Sequence, residues 1–288
     1  MKNMVDERFE CAAVIFRLAG RQEYCALDTD YQREVAEAFA KFAGHEAVEY
    51  VKNSDFNGYH DVPQFAVHIE KKDNKFVFIE EIKFPFNNWS EAEVKNFLVL
   101  FNKFYIDADY AEFYNSYLKL FEEATRKFVD ECYGRIDFEW FGKYIELSKL
   151  RCIYSLSSGN YMANVNDEFV YSVVWQDGGA IVHEFCHQFA NLIAEKWYSE
   201  NAEFKKWCDD SVDEEKMPYY SSGIYMAYEY VTRAYNLLYL CQSNGMIFEN
   251  GLHYKTNITA PFLVLSDVKN GFPYIGEVYG MVLKLENK

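Results

Sequence analysis

The chain has 288 residues, half of them hydrophobic, enough for one large domain or two modest ones with a substantial core. Lysine and arginine total 29 against 45 aspartates and glutamates, and the net charge of −16 argues against a nucleic-acid backbone or an anionic membrane as partner. The longest apolar runs, such as CAAVIF and FLVL, fall well short of the ~20 residues that span a bilayer, so no membrane span is expected.

The opening MKNMVDERFE has no apolar signal core after its charges. The default compartment is therefore the cytoplasm, with secretion or surface anchoring the alternative if a leader precedes it. VDERFECAAVIFRLAG reads as a helix ending on Gly20, and REVAEAFAKFAGHEAVEYV as further helical sequence. SEAEVKNFLVLFNKF opens on a Ser90 cap with acids in its first turn. DYAEFYNSYLKLFEEATRKFVDECYG carries apolar residues at helical spacing as far as Gly134. Residues 1–150 are thus expected to form a helical N-terminal lobe. His45, His60 and His68 sit in it among polar neighbours and are read as structural.

After Leu150 the pattern changes. RCIYSLSSGNYMANV and DEFVYSVVW are short, rich in β-branched and aromatic residues, and divided by SSGN and ND turn signals, which predicts strands. QDGG then breaks the pattern, and Asp177 is placed to cap a helix reaching about Tyr198, with Ser199 opening the next. The acidic connector CDDSVDEEKMP leads to YYSSGIYMAYEYVTRAYNLLYL, a long helix with few charges, and the tail predicts one more helix after a loop. With no repeat or flexible linker, residues 151–288 are expected to join the first half in one compact unit around a cleft. The cysteines are odd in number and form no C-x-x-C pair, which reads as reduced core thiols.

The helix that follows QDGG carries HEFCHQFAN. His183, Glu184 and His187 satisfy H-E-x-x-H, whose i, i+4 spacing sets two imidazoles on one helical face, close enough to share a metal. Ile181, Val182, Phe185, Cys186, Phe189, Leu192 and Ile193 fall on one arc, predicted to pack into the core. His183, Glu184, His187 and Asn191 fall on the other, beside small Ala190 and Ala194. A helix stabilised by packing alone has no reason for that second face, so it predicts a metal site. Cys186, on the apolar arc, reads as packing.

Two imidazoles are too few for a catalytic zinc, which takes about three protein ligands and keeps a further position open. The residues after His187 lack the histidine of the metzincin extension. Glu195 is ~12 Å of helical rise beyond His187, too far to bend back. The acids from Glu200 to Glu215 read as a solvated run. Glu229 is different: with Arg233 it supplies the charge in an otherwise aromatic and aliphatic helix, so its carboxylate needs a strong partner. Arg233, one turn away, could be that partner or could hold Glu229 as a metal ligand from behind.

HEFCHQFAN followed by YEYVTRA resembles the gluzincin arrangement, in which a glutamate on a later helix completes the two-histidine site. More narrowly, VDERFECAAVIFRLAGRQEY together with these two motifs resembles a bacterial family of predicted metallopeptidases classed as a domain of unknown function. The resemblance implies an α+β, zincin-like fold, largely helical, with a small mixed or antiparallel sheet beside the H-E-x-x-H helix and a zinc-binding half at 151–288. It implies one Zn²⁺ per chain on His183, His187 and Glu229, Glu184 as general base, and a peptide or protein substrate. By analogy with zincins, FVYSVVW is the expected substrate-binding edge strand. An oxyanion donor is sought among Tyr225, Tyr228, Arg233 and His253, with Tyr225 favoured because it lies one turn before Glu229. The rival expectations are a zinc hydrolase of another amide or ester, and a non-catalytic zinc-containing peptide-binding module.

Overall fold

The structure is a computed structural model that describes residues 4–26, 28–56, 61–79, 89–157, 170–174, 178–218, 220–243, 246–249, 252–255 and 260–287. Two compact units emerge: Met1–Glu131 with Arg151–Gln176, and Cys132–Leu150 with Asp177–Lys288. The composition change after Leu150 thus coincides with a chain crossing, while Cys132–Leu150 belong to the C-terminal unit and Arg151–Gln176 to the N-terminal one.

The N-terminal unit holds α1 (Glu7–Leu18), α2 (Asp30–Phe39), α3 (Glu46–Lys52), α4 (Asp61–Val67), α5 (Glu91–Asp107), α6 (Tyr110–Ser116) and α7 (Leu118–Glu131). Two hairpin-sized sheets accompany them, β1 (Ile69–Lys72) with β2 (Lys75–Phe78), and β3 (Leu150–Tyr154) with β4 (Val170–Val174). Asp6 caps α1 by accepting the Arg8 N–H, and every residue from Phe9 to Phe16 is buried, so α1 is the hub of the core rather than an amphipathic surface helix. Ser90 caps α5, as the sequence predicts, and forms a reciprocal capping box with Glu93.

Glu10 is the exception in the α1 core. Its carboxylate is fully buried and accepts from Ser155 Oγ (2.7 Å), Leu156 N (3.2 Å), Ser157 Oγ (2.6 Å) and Tyr31 Oη (3.2 Å). Burial pushes its pKa up, against the pull of those four donors. The segment after β3 is therefore fastened to α1 by one acid. The β1–β2 hairpin, which the helical reading of this lobe does not anticipate, pairs Ile69 with Phe78 and Lys72 with Lys75. Asp73 and Asn74, at φ 48° and 62°, make its two-residue turn. Asn102 of α5 clamps it by binding both the N–H and the C=O of Phe76.

The C-terminal unit holds α8 (Phe138–Phe141), α9 (Gly178–Glu200), α10 (Ala202–Asp210), α11 (Gly223–Gln242), α12 (Ala260–Lys269) and α13 (Ile275–Glu286), with an antiparallel hairpin of β5 (Met246–Glu249) and β6 (Leu252–Lys255). Its core is aromatic: Trp140 and Phe141 meet Phe185 and Phe189 of α9 and Tyr239 of α11. The tail forms two helices where one was expected, because the chain turns at Gly271, whose φ of +98° suits glycine. Helix α9 runs past Ser199 to Glu200, and Asn201 opens α10 by accepting the N–H groups of Glu203 and Phe204. Asp177, the expected cap of α9, lies outside the described residues. Among the described residues no helix is long and apolar enough to cross a membrane.

Helices α9 and α11 pack along one another in antiparallel sense, with Tyr198 beside Gly223, Glu195 beside Tyr228 and His187 beside Thr232. Close approach at one end depends on a glycine. A Cβ on Gly223 would lie 1.9 Å from Asp209 Oδ1 and 2.7 Å from Tyr198 Oη, and those two atoms are themselves hydrogen-bonded at 2.7 Å.

Candidate metal centre

Helical periodicity sets His183 and His187 on the side of α9 that faces α11, and Glu229 meets them from α11. His187 Nε2 lies 3.2 Å from His183 Nε2 and 3.4 Å from Glu229 Oε1, and His183 Nε2 lies 3.5 Å from Glu229 Oε2. The three groups each offer one ligand atom, all within 4.8 Å of one another. They form a cluster able to hold a metal ion.

The surrounding contacts fit that role. His187 Nδ1–H donates to Asn191 Oδ1 at 2.9 Å, one turn further along α9, and Thr232 Oγ1 stands 2.9 Å from the same nitrogen. An amide oxygen only accepts, so Nδ1 carries a proton and Nε2 is the nitrogen that faces the cluster. Glu229 Oε2 is buried without a donor in hydrogen-bonding geometry. Arg233 Nε approaches it at 3.3 Å but off line, so that contact is Coulombic rather than a hydrogen bond. A buried carboxylate oxygen with an unused lone pair, converging with two imidazole nitrogens, is a donor set that suits a divalent transition metal.

Electrostatics tell the same story. Burial disfavours the charged form of Glu229, but His183 and His187 outweigh it and hold the carboxyl well below its ordinary range. Burial likewise opposes protonation of His187, yet the Glu229 carboxylate, the charge of Glu184 and the Asn191 contact carry the imidazole up to about 9. Without a cation the cluster draws in a proton to balance Glu229.

Glu184, next to His183, is half-buried on the same helix. Arg233 lies behind the cluster: its Nη1 binds Asp267 Oδ1 at 3.0 Å, and its guanidinium covers the Phe272 ring at 4.1 Å. Tyr225 is 51% exposed with its ring near Tyr228, and Tyr228 donates to Glu195 at 2.9 Å, so neither hydroxyl is placed in the cluster. His253 lies on β6 opposite Phe248, and its side chain falls outside the described residues. Cys186 is buried in the core with its thiol pKa pushed far up by burial, as a packing residue requires. Leu192, expected on the buried arc, is 69% exposed, because the core covers less of α9 than the apolar count suggests.

His45 caps α3 through Nδ1, which accepts the Ala47 N–H, and His68 is buried with Nδ1 bonded to Gln64 O. Both are structural. His60 lies outside the described residues. Of the FVYSVVW segment, Val170–Val174 form β4, paired with β3 in the N-terminal unit, and the strand that packs on α9 within its own unit is β5.

Three neighbours of the site escape the sequence reading. Thr232 lies three residues after Glu229, and helical spacing alone places it on the same face. Asp267 comes from α12 and Tyr220 from the segment before α11, neither with a local signal. The Tyr220 ring packs edge-on to Phe272, 6.2 Å between centroids, on which Arg233 also rests. Burial and the charges of Glu229 and Glu184 push its hydroxyl up to about 12, while the positive charge of Arg233 pulls the other way.

Compared with protein-family models, with curated proteins and with solved structures, the chain matches none.

Proposed function

We propose that this protein is a zinc-dependent metallopeptidase of gluzincin type with a zincin-like catalytic unit, and that it hydrolyses peptide bonds. The observation that carries the reading is the convergence of His183 Nε2, His187 Nε2 and Glu229 at one point, beside Glu184 of the same H-E-x-x-H helix. Zn²⁺ held there would lower the pKa of a coordinated water towards ~7 and polarise the scissile carbonyl.

The chain supplies the rest. Glu184 takes the water proton as the carbonyl is attacked and returns it to the leaving amine. Asn191 and Thr232 fix the tautomer and ring orientation of His187. Tyr220 replaces Tyr225 as the favoured oxyanion donor, since its hydroxyl lies within the electrostatic reach of Glu229, Glu184 and Arg233 and keeps its proton to donate. The β5–β6 hairpin packed on α9 offers backbone groups to an extended peptide, which favours a peptide over a small amide or ester.

The test is metal content and turnover measured together on wild type, Glu184→Gln, His187→Ala and Glu229→Ala. One zinc per chain is expected in wild type and Glu184→Gln, with cleavage of a peptide library by wild type alone, and loss of zinc in the other two. Zinc retained by Glu229→Ala would displace that ligand. Zinc bound by wild type without cleavage of any peptide would leave a binding module.

A further inference from the structure

Asp267 has a part in this site that neither motif predicts. Its carboxylate, largely buried on α12, takes the Nη1 end of Arg233 at 3.0 Å, while the Nε side of the same guanidinium faces Glu229 Oε2 at 3.3 Å. Phe272 supports the guanidinium face at 4.1 Å. One cation is thus divided between two carboxylates from different helices, and only Asp267 receives a hydrogen bond from it.

From this geometry we infer that Asp267 is a positioning residue for the metal ligand Glu229, acting through Arg233; the inference rests on the metal-site reading above. An arginine one turn from a buried glutamate is placed to close on it in the bidentate geometry that Arg–carboxylate pairs frequently take, engaging both carboxylate oxygens. Here that outcome would neutralise Glu229 and take the lone pair that a metal needs. Asp267 holds the guanidinium off line, so Oε2 is screened by a nearby positive charge but not bonded to it. The charges support the same conclusion. By formal charge Glu229, Arg233 and Asp267 together carry −1, whereas Glu229 and Arg233 alone carry none, so Asp267 keeps one negative charge at the site for a divalent ion. Phe272 stops the guanidinium from tilting away, which makes the division a fixed feature of the site.

The experiment is a Zn²⁺ titration against a chromophoric chelator for wild type, Asp267→Asn, Arg233→Gln and the double variant, with Co²⁺ absorption as a second readout of ligand geometry. Asp267→Asn is expected to weaken Zn²⁺ binding about 10- to 100-fold, the range found when a group that orients a metal ligand is removed. It is also expected to shift the Co²⁺ bands. In the Arg233→Gln background the same change is expected to cost less than about threefold, because the guanidinium that Asp267 restrains is gone. A merely structural Asp267 would show equal losses in both backgrounds, and that result overturns the inference. Should Asp267→Asn fail to fold by circular dichroism, Asp267→Glu decides: it keeps the charge and the grip on Arg233, so near-wild-type affinity is expected and a tenfold loss overturns the inference. Wild type binding no Zn²⁺ would remove the metal-site reading itself. Wild type binding Zn²⁺ with Asp267→Asn indistinguishable from it would remove only the role of Asp267.

Discussion

Asn191 accepts the Nδ1 proton of His187 at 2.9 Å, so one turn of a single helix supplies both an imidazole and the group that fixes its tautomer. Replacing Asn191 by Ala leaves His187 free to rotate and to place its proton on Nε2, where a metal would bind. Zn²⁺ affinity should fall about 10- to 100-fold with the helical content unchanged. Thr232→Val, which leaves the Asn191 contact in place, should cost less. Chelator competition on the two variants ranks the effects, and equal losses would show that Asn191 has no special role.

His187 also sets a pH dependence. Its pKa in the metal-free fold, about 9, lies above the ordinary 6.5, so the folded state holds a proton that the unfolded chain gives up earlier. The stabilisation is complete below pH 6.5 and is lost as pH rises through about 9. A metal must displace that proton. Apparent Zn²⁺ affinity should therefore rise about tenfold per pH unit up to about 9 and then flatten, with proton release detectable in weakly buffered solution. A flat profile between pH 7 and 9 would show that His187 is neutral before metal arrives.

Glu10 gives a second, independent titration in the N-terminal unit. Its pKa is raised by burial, so above pH 4.5 the folded state retains a proton that the unfolded chain has lost, and stability falls as pH rises from there. Glu10→Gln should remove that slope while keeping the fold, because an amide can meet Leu156 N–H with its oxygen and the hydroxyls of Tyr31 and Ser157 with its NH₂. Glu10→Ala strands several buried donors and should cost about 3 kcal/mol or more. Urea unfolding at pH 5 and pH 8 reads both.

Gly223→Ala should destabilise the C-terminal unit by about 1–3 kcal/mol, since the new methyl group meets Asp209 at 1.9 Å and must break its bond to Tyr198. Adding Asp209→Ala opens the space, so the double variant should be more stable than the sum of the single losses predicts. Strict additivity in thermal unfolding would place the strain elsewhere.

The cluster of His183, His187 and Glu229 is legible from sequence because it is helical geometry twice over. His183 and His187 share a face of α9 by their spacing, and Glu229 stands out as an acid in an apolar helix. Asp267 is not legible, since it reaches Arg233 from α12 across 34 positions of chain. Glu10 is hidden for a related reason: an acid in an apolar helix acquires its meaning from Ser155 and Ser157, 145 and 147 residues away. The β1–β2 hairpin was open to reading, for DN between alternating residues is a turn signal that the helical pattern around it outweighs. The tail divides into two helices at Gly271, a local signal that length and hydrophobicity alone conceal.

The attachment of Ser155 and Ser157 to Glu10 also bears on where this protein can be cut. Composition suggests a natural break at residue 150, yet a fragment ending there would carry a buried acid stripped of three of its four donors and would lack the strand that continues from Arg151. The C-terminal remainder would in turn lose Trp140 and Phe141 from its aromatic core. Each unit borrows a stretch of chain from the other's side of the sequence, so no single scission yields two self-sufficient pieces. Limited proteolysis that severs the backbone near residue 150 should leave both fragments associated, and separate expression of 1–150 should give insoluble or unfolded protein.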